Sequence, residues 1–195
     1  MSREAAPDWL LDEFAHAGRE NLDAEHVHRY DSKMDASAPS ETELPGTLGL
    51  GPNSVLVEIG VGTGQLTIAA AARCDRVIAV DVSPAMLARL FANLDDRGMC
   101  NVEIVEAGFL SYLFDPESVD FVYSRLALHH LPDSWKTVAL RRIHDALKPG
   151  GVFRLWDVVT TSTLENPTTA LNSGVRRAKR LLHSLQLTTD GVAGK

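Results

Sequence analysis

Between residues 54 and 159, short apolar runs alternate with stretches whose apolar residues recur at helical spacing. Val55-Leu56-Val57-Glu58-Ile59 reads as a buried strand, followed by a glycine turn and an apolar-patterned helix from Leu66 to Ala72. Arg76 to Asp81 is a second continuous apolar run, ending in a carboxylate. Ser83-Pro84 then offers an N-cap with proline at the first helical position, and Met86, Leu87, Leu90 and Leu94 continue at helical spacing until Gly98. Strands are expected at Asn101 to Val105 and Val119 to Ser124. Leu126 to Leu131 leads into a helix with Trp135, Val138, Ala139, Ile143 and Leu147 on one face. That helix stops at Lys148-Pro149-Gly150-Gly151, and Val152 to Val159 makes a fifth strand. Strands alternating with helices in this way predict an α/β fold, a doubly wound and mostly parallel sheet with helices on both faces.

Outside this core the pattern changes. Residues 8–19 place Trp9, Leu10, Phe14 and Ala17 on one helical face, with Asp8 available as an N-cap after Pro7. A second helix is expected from Asp23 to Lys33, bearing His26, His28, Arg29 and Tyr30, and the polar residues of both read as a solvated face. Residues 36–53 carry Pro39, Pro45, Gly46, Gly49, Gly51 and Pro52 and read as a linker. Beyond Val159 a threonine-rich loop to Thr169 and a helix from Ser173 to Leu185 are expected, with Arg176, Arg177, Lys179 and Arg180 on its wet face. The chain thus divides into an N-terminal helical extension and linker (1–53), a core (54–159) and a C-terminal loop and helix (160–195).

Charge and composition narrow the partners. With 45% hydrophobic and 23% charged residues the chain suits one domain with a sizeable core, and a net charge of -7 argues against general nucleic-acid binding. Cys74 and Cys100 have no metal or disulfide spacing and read as reduced thiols, so no metal site is expected. The sequence has no signal pattern and no run approaching the ~20 apolar residues of a membrane span. A cytoplasmic protein is expected.

The chemistry concentrates at the strand ends. Glycines at 60, 62 and 64 let a turn take positive φ and let a ligand approach the backbone, whether a phosphate or a zwitterionic nucleoside derivative. A dinucleotide fingerprint would put its third glycine at position 65, where this chain has Gln65. Asp81 ends the second strand, where a carboxylate can accept both hydroxyls of a ribose. Glu58, buried among apolar strand residues, needs a cationic group or donors to meet it.

Glu58-Ile59-Gly60-Val61-Gly62-Thr63-Gly64, Asp81, the Asp120 to Ser124 strand followed by Leu128-His129-His130-Leu131, and Leu147-Lys148-Pro149-Gly150-Gly151 stand in one order. Over about residues 54–158 the chain resembles class I S-adenosylmethionine-dependent methyltransferases. The resemblance implies that the turn of Gly60, Gly62, Thr63 and Gly64 passes under the methionine part of S-adenosylmethionine, that Glu58 helps hold its ammonium, and that Asp81 binds the ribose. Val82 and the Gly108-Phe109 turn would cover the adenine, Ser124 and Arg125 would line the cleft near the reacting methyl, and Tyr30 would close over the site. The implied activity is methyl transfer to a small-molecule acceptor.

Two departures from the family pattern stand out. Many relatives carry an acidic residue after the third strand for the adenine amino group, whereas this turn reads Glu106-Ala107-Gly108-Phe109, so adenine recognition is expected to rest on backbone groups and Phe109. Such domains also continue with a helix, a sixth strand and an antiparallel seventh. Here Leu185 to Thr189 could begin a strand before Asp190-Gly191, but the return strand is missing. An open edge on the fifth strand is therefore expected, with marginal stability or a homodimer through it.

The donor's sulfonium already activates the methyl group, so the protein's task is positioning and exclusion of water, with a base needed only if the acceptor loses a proton. His129 and His130 are the candidates for that base, ahead of Asp157 and His26. Two other readings share parts of the pattern. A nicotinamide-dependent oxidoreductase has the sheet and acidic strand end but fails on the glycine spacing and lacks a Tyr-x-x-x-Lys pair. A nonenzymatic S-adenosylmethionine-binding protein fits the missing sheet end and the nonacidic adenine turn.

Overall fold

The computed structural model describes residues 9–17, 27, 43, 46, 47 and 49–159 and a strand at Leu181–Thr188. Strands β1 (Val55–Ile59), β2 (Arg76–Asp81), β3 (Val102–Glu106), β4 (Val119–Arg125), β5 (Leu147–Val159) and β6 (Leu181–Thr188) form one sheet in the order β3-β2-β1-β4-β5-β6. The first five are parallel, as the alternating pattern predicts. Because β1 is flanked by β2 on one side and β4 on the other, the order reverses at its carboxyl end. In open α/β sheets that is where a ligand crevice opens.

Helix α1 (Glu13–His16) precedes the sheet, and α2 (Gln65–Ala71), α3 (Pro84–Asp95) and α4 (Asp133–Ala146) alternate with its strands. Val57, Ile59, Ile78, Val80 and Val122 pack on one face with Ala139 and Ile143 of α4. On the other face Leu56, Val77 and Tyr123 meet Leu66 and Ala70 of α2, and Leu87, Leu90 and Leu94 of α3 close a third cluster over Ala79. Burial on both faces explains why β1 and β2 read as continuous apolar runs rather than alternating ones. Ser83 caps α3 as expected, its hydroxyl accepting from the Met86 N–H at 3.2 Å ahead of Pro84.

Four expectations change. The helix over residues 8–19 is a single turn, α1, capped by Asp12, whose carboxylate accepts from the N–H groups of Phe14 and Ala15 at 3.1 and 3.2 Å. Its buried side is also different: Trp9 and Phe14 are 72% and 47% exposed, while Leu10 and Leu11 pack against the core and Glu13 is buried. Trp9 is held by stacking on Trp135, ring centroids 6.3 Å apart. Second, β5 begins at Leu147, so Pro149 and Gly150 lie inside a strand rather than in a turn. The ladder with β4 shifts register between Val119 and Phe121, the irregularity that a proline without an N–H and a glycine at φ 79° require.

Third, the edge of β5 is not open. β6 pairs with it antiparallel from Val152↔Thr188 to Val159↔Leu181, which removes the ground for a dimer through an unpaired β5 edge. Fourth, the last residues of the helix expected over Ser173 to Leu185 are strand, because Leu181–Leu185 belong to β6. Val27 is helical and buried; the rest of the expected second helix, with His26 and Tyr30, lies outside the described residues, as do residues 160–180. No helix among the described residues is long and apolar enough to cross a membrane.

Candidate functional site

Where β1 ends the chain must turn without side chains. At Gly60, φ 78°, a Cβ would lie 2.3 Å from the Cβ of Ala127 after β4, and at Gly64, φ 91°, one would lie 2.2 Å from Cδ1 of Leu90 in α3. Both the left-handed backbone and the close approach therefore demand glycine. Gly60 N–H donates to the Val80 carbonyl at 2.8 Å, tying the turn to β2. The turn borders an open cleft.

The ends of β1 to β4 contribute to the cleft wall: Gly60 and Gly62 after β1, Asp81, Val82 and Ser83 at β2, Ala107, Gly108 and Phe109 after β3, and Arg125, Leu126 and Ala127 at β4. Met86, His130 and Leu131 complete this side, and Glu13, His16 and Ala17 close the wall from the N-terminal segment.

Asp81 is the best-defined group. Its two carboxylate oxygens accept from Gly62 N–H and Ser83 N–H, each at 2.9 Å. Burial pushes its pKa up, opposed by N–H donation from Gly62, Ser83 and Val82. Each oxygen retains acceptor capacity after one N–H, and the residue lines the cleft. The carboxylate is thus oriented by the same turn that a ligand would cross.

Glu58 has a different place. It is buried on the α2 face of β1, where Thr67 Oγ1 donates to it at 2.5 Å, and it does not line the cleft. The donor that a buried carboxylate needs thus comes from α2. Thr63 is buried, and its carbonyl accepts from Asn93 Nδ2 at 3.0 Å. Thr63, Gly64 and Ser124 stand behind the wall and not in it. Ser124 is fully buried, and its hydroxyl has no hydrogen-bond partner among the described residues.

The two histidines divide similarly. His130 lines the cleft, whereas His129 is clamped from behind by Asp157: backbone N–H to Oδ2 at 3.0 Å and ring Nδ1 to Oδ1 at 2.6 Å. The rings lie 4.2 Å apart, so a buried aspartate fixes one imidazole and that imidazole packs on the other. Arg125 sits over the Trp156 ring at 4.8 Å, a cation–π contact that holds a positive charge at this end of the cleft.

Glu13 was not foreseen. Its Oε2 accepts from Leu110 N–H at 3.0 Å, Ser111 N–H at 2.9 Å and Ser111 Oγ at 2.8 Å, across up to 98 positions of sequence.

Residues 56–151 match the family described as Methyltransferase domain. Over these residues the chain is similar to class I S-adenosylmethionine-dependent methyltransferases. Among similar proteins, an uncharacterized methyltransferase of Geobacillus kaustophilus is 32% identical over 125 residues, covering 64% of this chain and 56% of its own. Phosphoethanolamine N-methyltransferase 2 of Caenorhabditis elegans is 35% identical over 101 residues, covering 51% of this chain and 23% of that one. In fold, the methyltransferase domain is like Haemonchus contortus phosphoethanolamine N-methyltransferase 2 in complex with S-adenosyl-L-methionine. That match has a TM-score of 0.67 and 21% identity, and covers 85% of this chain and 40% of that one. The chain spans a little over half the length of the Geobacillus relatives that it matches at 56% coverage.

The cleft suits the cofactor of this family. The glycine turn leaves backbone exposed, Asp81 offers acceptors, and Val82, Met86 and Phe109 give an apolar flank. The nicotinamide reading loses its support: Gln65 begins α2 where a third dinucleotide glycine would stand.

Proposed function

We propose that the domain transfers the methyl group of S-adenosylmethionine to a small-molecule acceptor. The observation that carries this reading is the Asp81 carboxylate, locked to the Gly62 N–H at the wall of the cleft. Gly60 and Gly62 would carry the amino-acid part along their backbone, Asp81 would take the ribose hydroxyls, and Val82, Met86, Gly108 and Phe109 would border the base. When bound, the cofactor supplies a methyl group already activated by its positive sulfur. The protein's share is alignment and a dry environment.

Arg125, Leu126, Ala127 and His130 would then face the acceptor. His130 is the group placed to take a proton from it, with His129 and Asp157 as positioning residues behind. The positive charge of Arg125 favours an anionic acceptor.

The test is turnover. The protein is incubated with methyl-labelled S-adenosylmethionine and a panel of small acceptors that includes carboxylates and phosphate monoesters, and S-adenosylhomocysteine is read by mass spectrometry. Acceptor-dependent product supports the reading. Tight cofactor binding without product across the panel would favour the nonenzymatic alternative.

A further inference from the structure

We infer that Glu13 recognises the adenine of the cofactor, supplying from the N-terminal segment the carboxylate that the turn after β3 lacks. The inference rests on the S-adenosylmethionine reading above. Sheet order fixes where the base would lie. With the amino-acid part over the β1 turn and the ribose at Asp81 on β2, the next strand outward is β3, and the base meets Ala107, Gly108 and Phe109.

Gly108 is a glycine for an unusual reason. Its backbone is outside the left-handed region, so conformation does not exclude a side chain there. Glu13 fills that space instead: a Cβ would lie 2.4 Å from Glu13 Oε1, 2.5 Å from Cδ and 2.6 Å from Oε2, so a side chain at 108 requires the Glu13 carboxyl to move. The carboxyl group of Glu13 therefore occupies the volume in which the side chain of an acidic residue 108 would begin.

The two oxygens of Glu13 are used differently. Oε2 accepts three hydrogen bonds from Leu110 and Ser111, which hold the carboxylate in place. Oε1 accepts none among the described residues, although Glu13 is 8% exposed and lines the cleft. An unpaired carboxylate oxygen open to the cleft is free to accept from a ligand donor. The 6-amino group of adenine is a donor at the edge of an otherwise apolar ring. A 6-oxo purine would present an oxygen to the same carboxylate and be rejected, the kind of discrimination that buried polar groups give best.

The test is a ligand-by-mutant cycle, measured by titration calorimetry with S-adenosylhomocysteine and its inosine analogue on the wild-type chain, Glu13→Ala, and Glu13→Ala with Gly108→Asp. The wild type is expected to prefer the adenine ligand by about 10- to 100-fold. Glu13→Ala should lose most of that preference, and adding Gly108→Asp should restore it. If Glu13 only staples the N-terminal segment to the Leu110–Ser111 loop, Glu13→Ala weakens both ligands alike and leaves their ratio intact, which overturns the inference alone. Failure of the wild type to bind S-adenosylhomocysteine would overturn the cofactor reading as well. Should Glu13→Ala not fold by circular dichroism, the double variant decides: an adenine preference like that of the wild type supports the assignment, and its absence contradicts it.

Discussion

A methyl group at position 60 would have to occupy space held by Ala127, at a backbone angle that L-residues rarely adopt. Gly60→Ala should therefore cost about 1–3 kcal/mol in strain, read as a lower Tm, and should weaken cofactor binding as the turn moves. Asp81 carries a pH dependence whose sign differs between folding and binding. Burial raises its pKa in the folded chain, so its contribution to stability is full below the unfolded pKa and is lost as pH rises through the folded one. Binding runs the other way, because only the ionised group accepts from Gly62, Ser83 and two hydroxyls together. Affinity for S-adenosylhomocysteine should fall on acidification before an ordinary aspartate would protonate. In Asp81→Asn it should be weaker by about 10- to 100-fold and flat over the same range, both read by calorimetry across pH. At the other end of the cleft, His130→Ala should lower kcat by about 100-fold with KM for the cofactor unchanged. Asp157→Ala, which removes both contacts to His129, should lower kcat with KM for the cofactor unchanged.

At the scale of elements, β6 makes the sharpest claim. Leu185→Pro would remove a backbone donor opposite Leu155 in the antiparallel ladder. Hydrogen exchange should then quicken along β5 from Val152 to Val159 while β1 and β2 stay protected. Unchanged exchange in β5 would mean that the pairing carries no weight. The same contrast shows what the sequence could and could not tell. Strands β1 and β2 were legible because burial on both faces writes an uninterrupted apolar run, and α3 because Ser83-Pro84 and its leucines mark both its start and its face. β6 was legible only in its second half, where Leu185 to Thr189 reads as a strand start, since the preceding basic residues suggested a helix and a strand's partner is a long-range fact. Nor was the buried side of α1: the periodicity put Trp9 and Phe14 inward, whereas the contact that decides its orientation is a carboxylate reaching Leu110 and Ser111. In the site, local spacing brought Asp81, Gly60 and Gly62 together, and all three line the cleft. What it did not show is the Thr67 hydroxyl on the next helix that donates to Glu58.

The molecule as a whole is a sheet whose first four strands end at one cleft, with an N-terminal segment as part of the wall. A ligand held by that wall touches β1, β2, β3 and α1 together, so its binding energy should appear as stability of the folded chain: at 100 times Kd, about 2.7 kcal/mol. The central claim is that this cleft binds S-adenosylmethionine through the glycine turn and Asp81. Calorimetric titration of the purified chain with S-adenosylmethionine and, separately, with NADH tests it most directly. Saturable binding of one S-adenosylmethionine per chain, weakened by about 10- to 100-fold in Asp81→Asn, and no binding of NADH are expected. Binding of NADH without S-adenosylmethionine would contradict the claim.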